Sequence, residues 1–207
     1  MLHKIDNAFE STDCLVFLHG FGADENDLFD LKVLFPGAHV VSYRAPIDLT
    51  PMGYFGGRAW FPLDFTPYGI EYDDAEVKKA IDIITSELSV LRKSFDRLYV
   101  CGFSQGAILT HAVFLNSEVE LDGIAGLSGR FNESIFKESL KENIADKPVF
   151  LSHGTVDEVI PVESGRRIFS FYKESGAGVF AREYRMGHGI DLDCQRDLSE
   201  WWLKVKG

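Results

Sequence analysis

Six short apolar runs recur along the chain, each bounded by Gly, Pro or Asp: Cys14–Leu18, His39–Tyr43, Leu98–Cys101, Gly123–Leu127, Val149–Ser152 and Val179–Tyr184. Runs this short, rich in β-branched and aromatic residues, predict strands, most of them buried on both faces. Segments with helical periodicity separate them: Asn26–Leu34, Tyr72–Lys93, Gln105–Leu115, roughly Ser134–Glu142, Glu163–Glu174 and Ile190–Lys204. In the second of these, Val77, Ile81, Ile84, Leu88 and Leu91 fall on one side, and Lys79, Asp82, Ser86 and Lys93 fall opposite. That spacing gives one dry face and one wet one. Strands alternating with helices predict an α/β protein, a mostly parallel sheet with helices on both faces. In such a sheet, sites form at the carboxyl ends of strands, so the residues just after each strand are where chemistry is expected.

Between Arg44 and Glu71 the periodicity fades, and the stretch carries Tyr54, Phe55, Trp60, Phe61, Phe65 and Tyr68. A long irregular connection in a compact protein is usually functional. As a whole it reads as an apolar substrate wall, with Phe55, Trp60 and Phe65 as candidate contacts, although any one aromatic could equally pack the loop down. Arg130 and Phe131, just past the fourth strand, are candidates for the same rim. Arg130 could meet a carboxylate or polar head group, or simply face solvent.

Composition narrows the class. The chain has 207 residues, 45% hydrophobic and 26% charged, with 17 Phe, which suits one domain over residues 1–207 with a substantial core. A formal net charge of −11, without any block of like charge, argues against nucleic acid or an anionic membrane surface as the main partner. No stretch approaches a membrane-spanning length, and the first residues lack the pattern of a secretory leader, so a cytoplasmic protein without integral membrane association is expected. Cys14, Cys101 and Cys194 are odd in number, far apart and without CxxC spacing, which favours buried reduced thiols over a disulfide or metal framework.

The densest chemical signal is Asp96–His111, DRLYVCGFSQGAILTH. A strand breaks into Gly102-Phe103-Ser104-Gln105-Gly106 and continues as a helix, the context in which G-x-S-x-G places a serine on a strained turn. Residues two before and two after the serine must lack a β-carbon, or strand and helix would collide. The Gln105 amide, at the first turn of the helix, then points at whatever Ser104 attacks. The pattern alone arises by chance in on the order of one chain of this size in ten, so its partners must carry the argument.

Those partners follow other strands. The first strand ends in His19-Gly20-Phe21-Gly22, which can leave the Phe21 amide free to donate into a site; an ordinary Gly turn with a structural His19 is the alternative. Asp24, Glu25 and Asp27 beyond it are explained by helix capping. Asp157 follows the fifth strand, with Glu158 as a neighbouring acid, and His188 lies between two glycines after the sixth. His153 and Asp157 lack a third ligand at metal spacing. Of six histidines, only His188 follows both Ser104 and Asp157, giving the order Ser, Asp, His used by this architecture.

With LHGFG (Leu18–Gly22), RAWF (Arg58–Phe61), GFSQG (Gly102–Gly106), HGTVDEVIP (His153–Pro161) and GHGI (Gly187–Ile190) in this order, the sequence resembles the small α/β-hydrolases of the phospholipase/carboxylesterase group, which includes acyl-protein thioesterases and lysophospholipases. The resemblance implies an α/β-hydrolase fold without a separate lid domain. It assigns Ser104 as nucleophile, His188 as base, Asp157 as acid, and the Phe21 and Gln105 amides as oxyanion hole. It implies a carboxylic ester or thioester hydrolase without cofactor or metal, acting on a small or lipid-like substrate with an apolar acyl or alcohol part, and a homodimer contact through exposed aromatics. Ala107 and Gly189 stand where the group commonly has Gly and often has Ser; both are small replacements that leave the triad intact. A peptidase or amidase with the same triad, and a non-catalytic binding module on the same fold, are the rival readings.

Overall fold

The computed structural model describes residues 2, 4–7, 9–66, 69–131 and 144–206. The helix expected at Ser134–Glu142, and Tyr68 of the aromatic stretch, lie outside the described residues. Strands β1 (Lys4–Asp6), β2 (Asp13–Leu18), β3 (His39–Tyr43), β8 (Arg97–Phe103), β9 (Gly123–Leu127), β10 (Pro148–Gly154) and β11 (Gly178–Tyr184) form one sheet in the order β1-β3-β2-β8-β9-β10-β11. Only β1 runs antiparallel, against β3; the rest pair in parallel, as with Val16 beside Val100 and Gly102 beside Gly126. Two small antiparallel hairpins, β4 (Ile47–Asp48) with β5 (Arg58–Ala59) and β6 (Asp64–Thr66) with β7 (Gly69–Glu71), organise the aromatic stretch.

Helices α1 (Asp74–Leu91), α2 (Gln105–Asn116) and α3 (Val162–Glu174) cover one face, and α4 (Leu192–Val205) covers the other. The dry side of α1 packs Val77, Ile81, Ile84 and Leu88 onto Val16, Val41 and Val100 of the sheet. On the opposite face the fully buried Trp202 meets Phe35 and Tyr99 edge-on, with ring centroids 5.6 and 5.0 Å away, and its indole N–H donates to the Pro36 carbonyl. Every residue of β2 and β9 is buried, as expected for central parallel strands; β11 is the exposed edge. Among the described residues, no helix is long and apolar enough to cross a membrane.

One expected helix is corrected. Asn26–Leu34 is not α-helical: a 3-10 helix covers Phe29–Leu34 after a run of turns. Leu28, Leu31 and Leu34 recur every third residue and pack toward the core, and three per turn is the 3-10 repeat. Glu25 is not a cap either, but is buried and paired with Arg44.

His19 and His111 are wholly enclosed, and burial pushes both rings below the ordinary imidazole value of 6.5, His111 to about 3. Below about pH 6.5 the unfolded chain therefore takes up protons that the folded chain refuses. Their contribution to stability is full above that value and is lost as pH falls, at up to about 1.4 kcal/mol per unit for each ring. The urea midpoint is thus expected to decline between pH 6.5 and 5, before most carboxylates titrate. A midpoint level from pH 7 to 5 would contradict this.

Candidate active site

The strand β8 to α2 junction sets the site. Ser104 sits there at φ 53° and ψ −114°, outside the regions an L-residue prefers. The two flanking glycines are required by close approach. A Cβ on Gly102 would lie 2.2 Å from the Gly106 carbonyl oxygen, and one on Gly106 would lie 1.8 Å from that of Leu18. The second glycine therefore admits the neighbouring strand β2 as well as the turn itself. Ser104 provides no side-chain cap to α2, so it does not take up the first amides of that helix, which have no intrahelical acceptor.

Three side chains from three connections converge here. The Ser104 hydroxyl donates to His188 Nε2 at 2.8 Å, and His188 Nδ1–H donates to Asp157 Oδ2 at 2.8 Å. The other Asp157 oxygen accepts the Val159 and Ile160 amides at 2.9 and 2.8 Å, and the carboxylate is fully shielded from solvent. The Phe103 ring lies against the His188 ring, centroids 5.0 Å apart. What allows the His188 loop to reach the Asp157 loop is Gly154, where a Cβ would fall 2.2 Å from the Gly187 carbonyl oxygen; Gly189 faces open space.

The loop after β2 is braced on both sides. The Gly22 amide donates to the Arg58 carbonyl and the Arg58 amide to the Ala23 carbonyl, at 2.9 and 2.8 Å. His19 takes its structural role: Nδ1–H donates to the Gly20 carbonyl and Nε2 accepts the Ala45 amide. Between these anchors, the Phe21 amide has no acceptor among the described residues, and neither has that of Gln105.

The substrate-wall candidates divide. Phe65 and Phe55 are exposed, and Phe65 meets Phe21 edge-on at 5.5 Å while Tyr54 does the same at 5.4 Å. Phe55 borders a depression it shares with Gly22, Asp24 and Asp27. Trp60 is not a wall residue: it is 2% exposed, and its indole N–H donates to the His19 carbonyl, so it supports the Phe21 loop from below. Phe131 is half-buried and packs edge-on against His111 and Phe171 at the margin of the core. Arg130 is neither free nor simply solvated, since it donates to the Ile70 carbonyl and lies over the Tyr72 ring, tying the β6–β7 hairpin to the end of β9.

Sequence reasoning missed the side chain of Gln105. Its carbonyl oxygen accepts the Trp60 amide at 2.9 Å and its amide nitrogen donates to the Phe61 carbonyl at 2.7 Å, all in the interior. Gln105→Ala would orphan both backbone groups and is expected to cost about 3 kcal/mol, read as a lower urea midpoint at pH 7.

The known proteins to which this chain is similar carry names consistent with one another. Carboxylesterase SOBER1 of Arabidopsis thaliana is 31% identical over 153 residues, 70% of this chain and 66% of that protein. Acyl-protein thioesterase 1 of Emericella nidulans is 28% identical over 191 residues, 85% of this chain and 77% of that protein. The Bacillus cereus carboxylesterase structure matches all of this chain (100%) and 95% of its own with a TM-score of 0.84 at 22% identity, a likeness of fold. The architecture is that of an α/β-hydrolase. A family model described as phospholipase/carboxylesterase matches residues 5–204, nearly the whole sequence, and the chain accordingly belongs to the phospholipase/carboxylesterase family.

Proposed function

We propose that the chain, acting as one domain over residues 1–207, is a cofactor-independent serine hydrolase that cleaves carboxylic esters or thioesters through an acyl-serine intermediate. The observation that carries this reading is the unbroken hydrogen-bonded relay from the Ser104 hydroxyl through His188 to Asp157. As Ser104 Oγ bonds to the substrate carbonyl carbon, its proton passes to His188 Nε2. Asp157 holds the ring with Nδ1 protonated and stabilises the imidazolium. The Phe21 and Gln105 amides donate to the oxyanion, each contributing roughly 3 kcal/mol to the transition state. The imidazolium then protonates the leaving alcohol or thiol, and water, activated by the same ring, releases the acid.

The apolar acyl or alcohol part lies against Phe21, Tyr54 and Phe65, the edge-on aromatic group beside the free Phe21 amide. The names of the curated relatives, carboxylesterase and acyl-protein thioesterase, support both ester and thioester chemistry. The buried, unpaired Cys14, Cys101 and Cys194 support a cytoplasmic setting. A fluorophosphonate probe tests the assignment: it is expected to add to the peptide carrying Ser104, and the protein it modifies should lose turnover of both p-nitrophenyl esters and acyl thioesters. Labelling elsewhere, or none, removes Ser104 as nucleophile, and turnover of aminoacyl amides without esters would select an amidase.

A further inference from the structure

His153 lies on β10, four residues before Asp157, with its side chain 3% exposed. Its Nε2–H donates to the Ile160 carbonyl at 2.8 Å and stands 3.5 Å from Asp157 Oδ2, while Nδ1 has no partner among the described residues. We propose that His153 is a positioning residue for Asp157, fixing the carboxylate in the orientation that His188 requires. The inference rests on Ser104, His188 and Asp157 acting as proposed above.

Two routes connect the ring to the carboxylate. The Ile160 peptide is held at its carbonyl by His153, and the amide of the same residue donates to Asp157 Oδ1 at 2.8 Å. Ring, peptide and carboxylate thus form one closed chain. The second route is direct: His153 Nε2 stands 3.5 Å from Oδ2, the oxygen that takes His188 Nδ1–H. At that distance the ring opposes rotation of the carboxylate. Of the charged residues that border the same cavity, Arg166 of α3 and Glu183 of β11 bond to each other at 2.7 Å and Arg182 of β11 bonds to Asp197 at 2.8 Å.

The ring is wedged from behind by Gly165 of α3, where a Cβ would fall 2.8 Å from Nδ1. A helix ordinarily prefers alanine to glycine, so Gly165 marks a place where α3 yields to the ring. Gly165, Gly126 and Gly129 border a cavity of about 190 Å³ that also reaches His153. With space beside it, the ring keeps its place through the Nε2 bond and the Gly165 contact. A histidine that merely filled the interior would need neither a donor aimed at the Asp157 loop nor a missing Cβ opposite it.

The test compares the parent protein with His153→Met, His153→Gln and Gly165→Ala by steady-state kinetics on a p-nitrophenyl ester, with melting temperatures measured alongside. A parent that turns over the ester and is labelled at Ser104 secures the underlying reading independently of His153. His153→Met, which keeps bulk but removes the donor, is expected to lower kcat about 10- to 100-fold with KM within about twofold. His153→Gln, whose amide can donate from near the Nε2 position, should recover to within about fivefold of the parent. Gly165→Ala crowds the ring without altering its chemistry and should lower kcat at unchanged KM. A parent-like kcat in the Met variant, equal losses in Met and Gln, or a change confined to KM overturns the proposal. Should the Met variant fail to fold, Gly165→Ala decides: reduced kcat at constant KM supports the proposal, and parent-like kcat overturns it.

Discussion

Ser104→Ala is expected to lower kcat for p-nitrophenyl esters by a factor of about 10⁵ to 10⁶, leaving only what the two amides and substrate binding supply. In barrier terms this is about 7 to 8 kcal/mol. The fold should survive the change. Ser104 already holds φ at 53° without using its side chain to cap α2, so alanine inherits the same backbone strain and removes only the hydroxyl that bonds to His188. Circular dichroism and the urea midpoint should therefore match the parent while turnover vanishes. Asp157→Asn should cost less, about 10⁴-fold, because an amide can still accept the Val159 and Ile160 amides while presenting N–H to His188 Nδ1 and forcing the wrong tautomer. Equal losses in the two variants would mean that the aspartate does more than orient the ring. Retained turnover in Ser104→Ala would remove the proposed chemistry altogether.

Much of this was legible along the chain, for identifiable reasons. Parallel strands buried on both faces must be apolar throughout, so Cys14–Leu18, His39–Tyr43 and Gly123–Leu127 stand out from their surroundings and are found as strands at those places. Lys4–Asp6 gave no such signal, being three residues at an antiparallel edge with one side in water. The hairpins at 47–59 and 64–71 pair only two or three residues per strand, too few for alternation to register. At the site, Ser104, Asp157 and His188 could be picked out because each follows its own strand in the required order. The side-chain bonds of Gln105 to the Trp60 and Phe61 backbone, and the fit of His153 against Gly165, could not, since both depend on how closely segments far apart in sequence approach. The same blindness explains Trp60. An aromatic in a long irregular stretch has the same local sequence whether it lines a rim or supports it.

Gly106→Ala carries the largest expected loss of stability, and its sign turns on a contest between two effects. Gly106 is the second residue of α2, where alanine would normally favour the helix by up to about 1 kcal/mol. Against this, the new methyl carbon would lie 1.8 Å from the Leu18 carbonyl oxygen and 2.7 Å from that of His19, both backbone atoms at the end of β2. No rotamer relieves a Cβ clash, so either α2 must lift from the sheet or β2 must bend. Bending β2 strains the bond from the Trp60 indole to the His19 carbonyl, and lifting α2 displaces the Gln105 contacts to the same stretch. The clash should dominate by on the order of 4 kcal/mol or more, in the range reserved for overpacking within a rigid interior. Because β2 leads directly into the Phe21 loop, any protein that still folds should lose kcat as well, with both proposed oxyanion donors moved relative to Ser104. A Gly106→Ala protein with parental urea midpoint and parental kcat would show that the turn has slack, and the tight junction between β2, β8 and α2 would no longer explain how the serine is held.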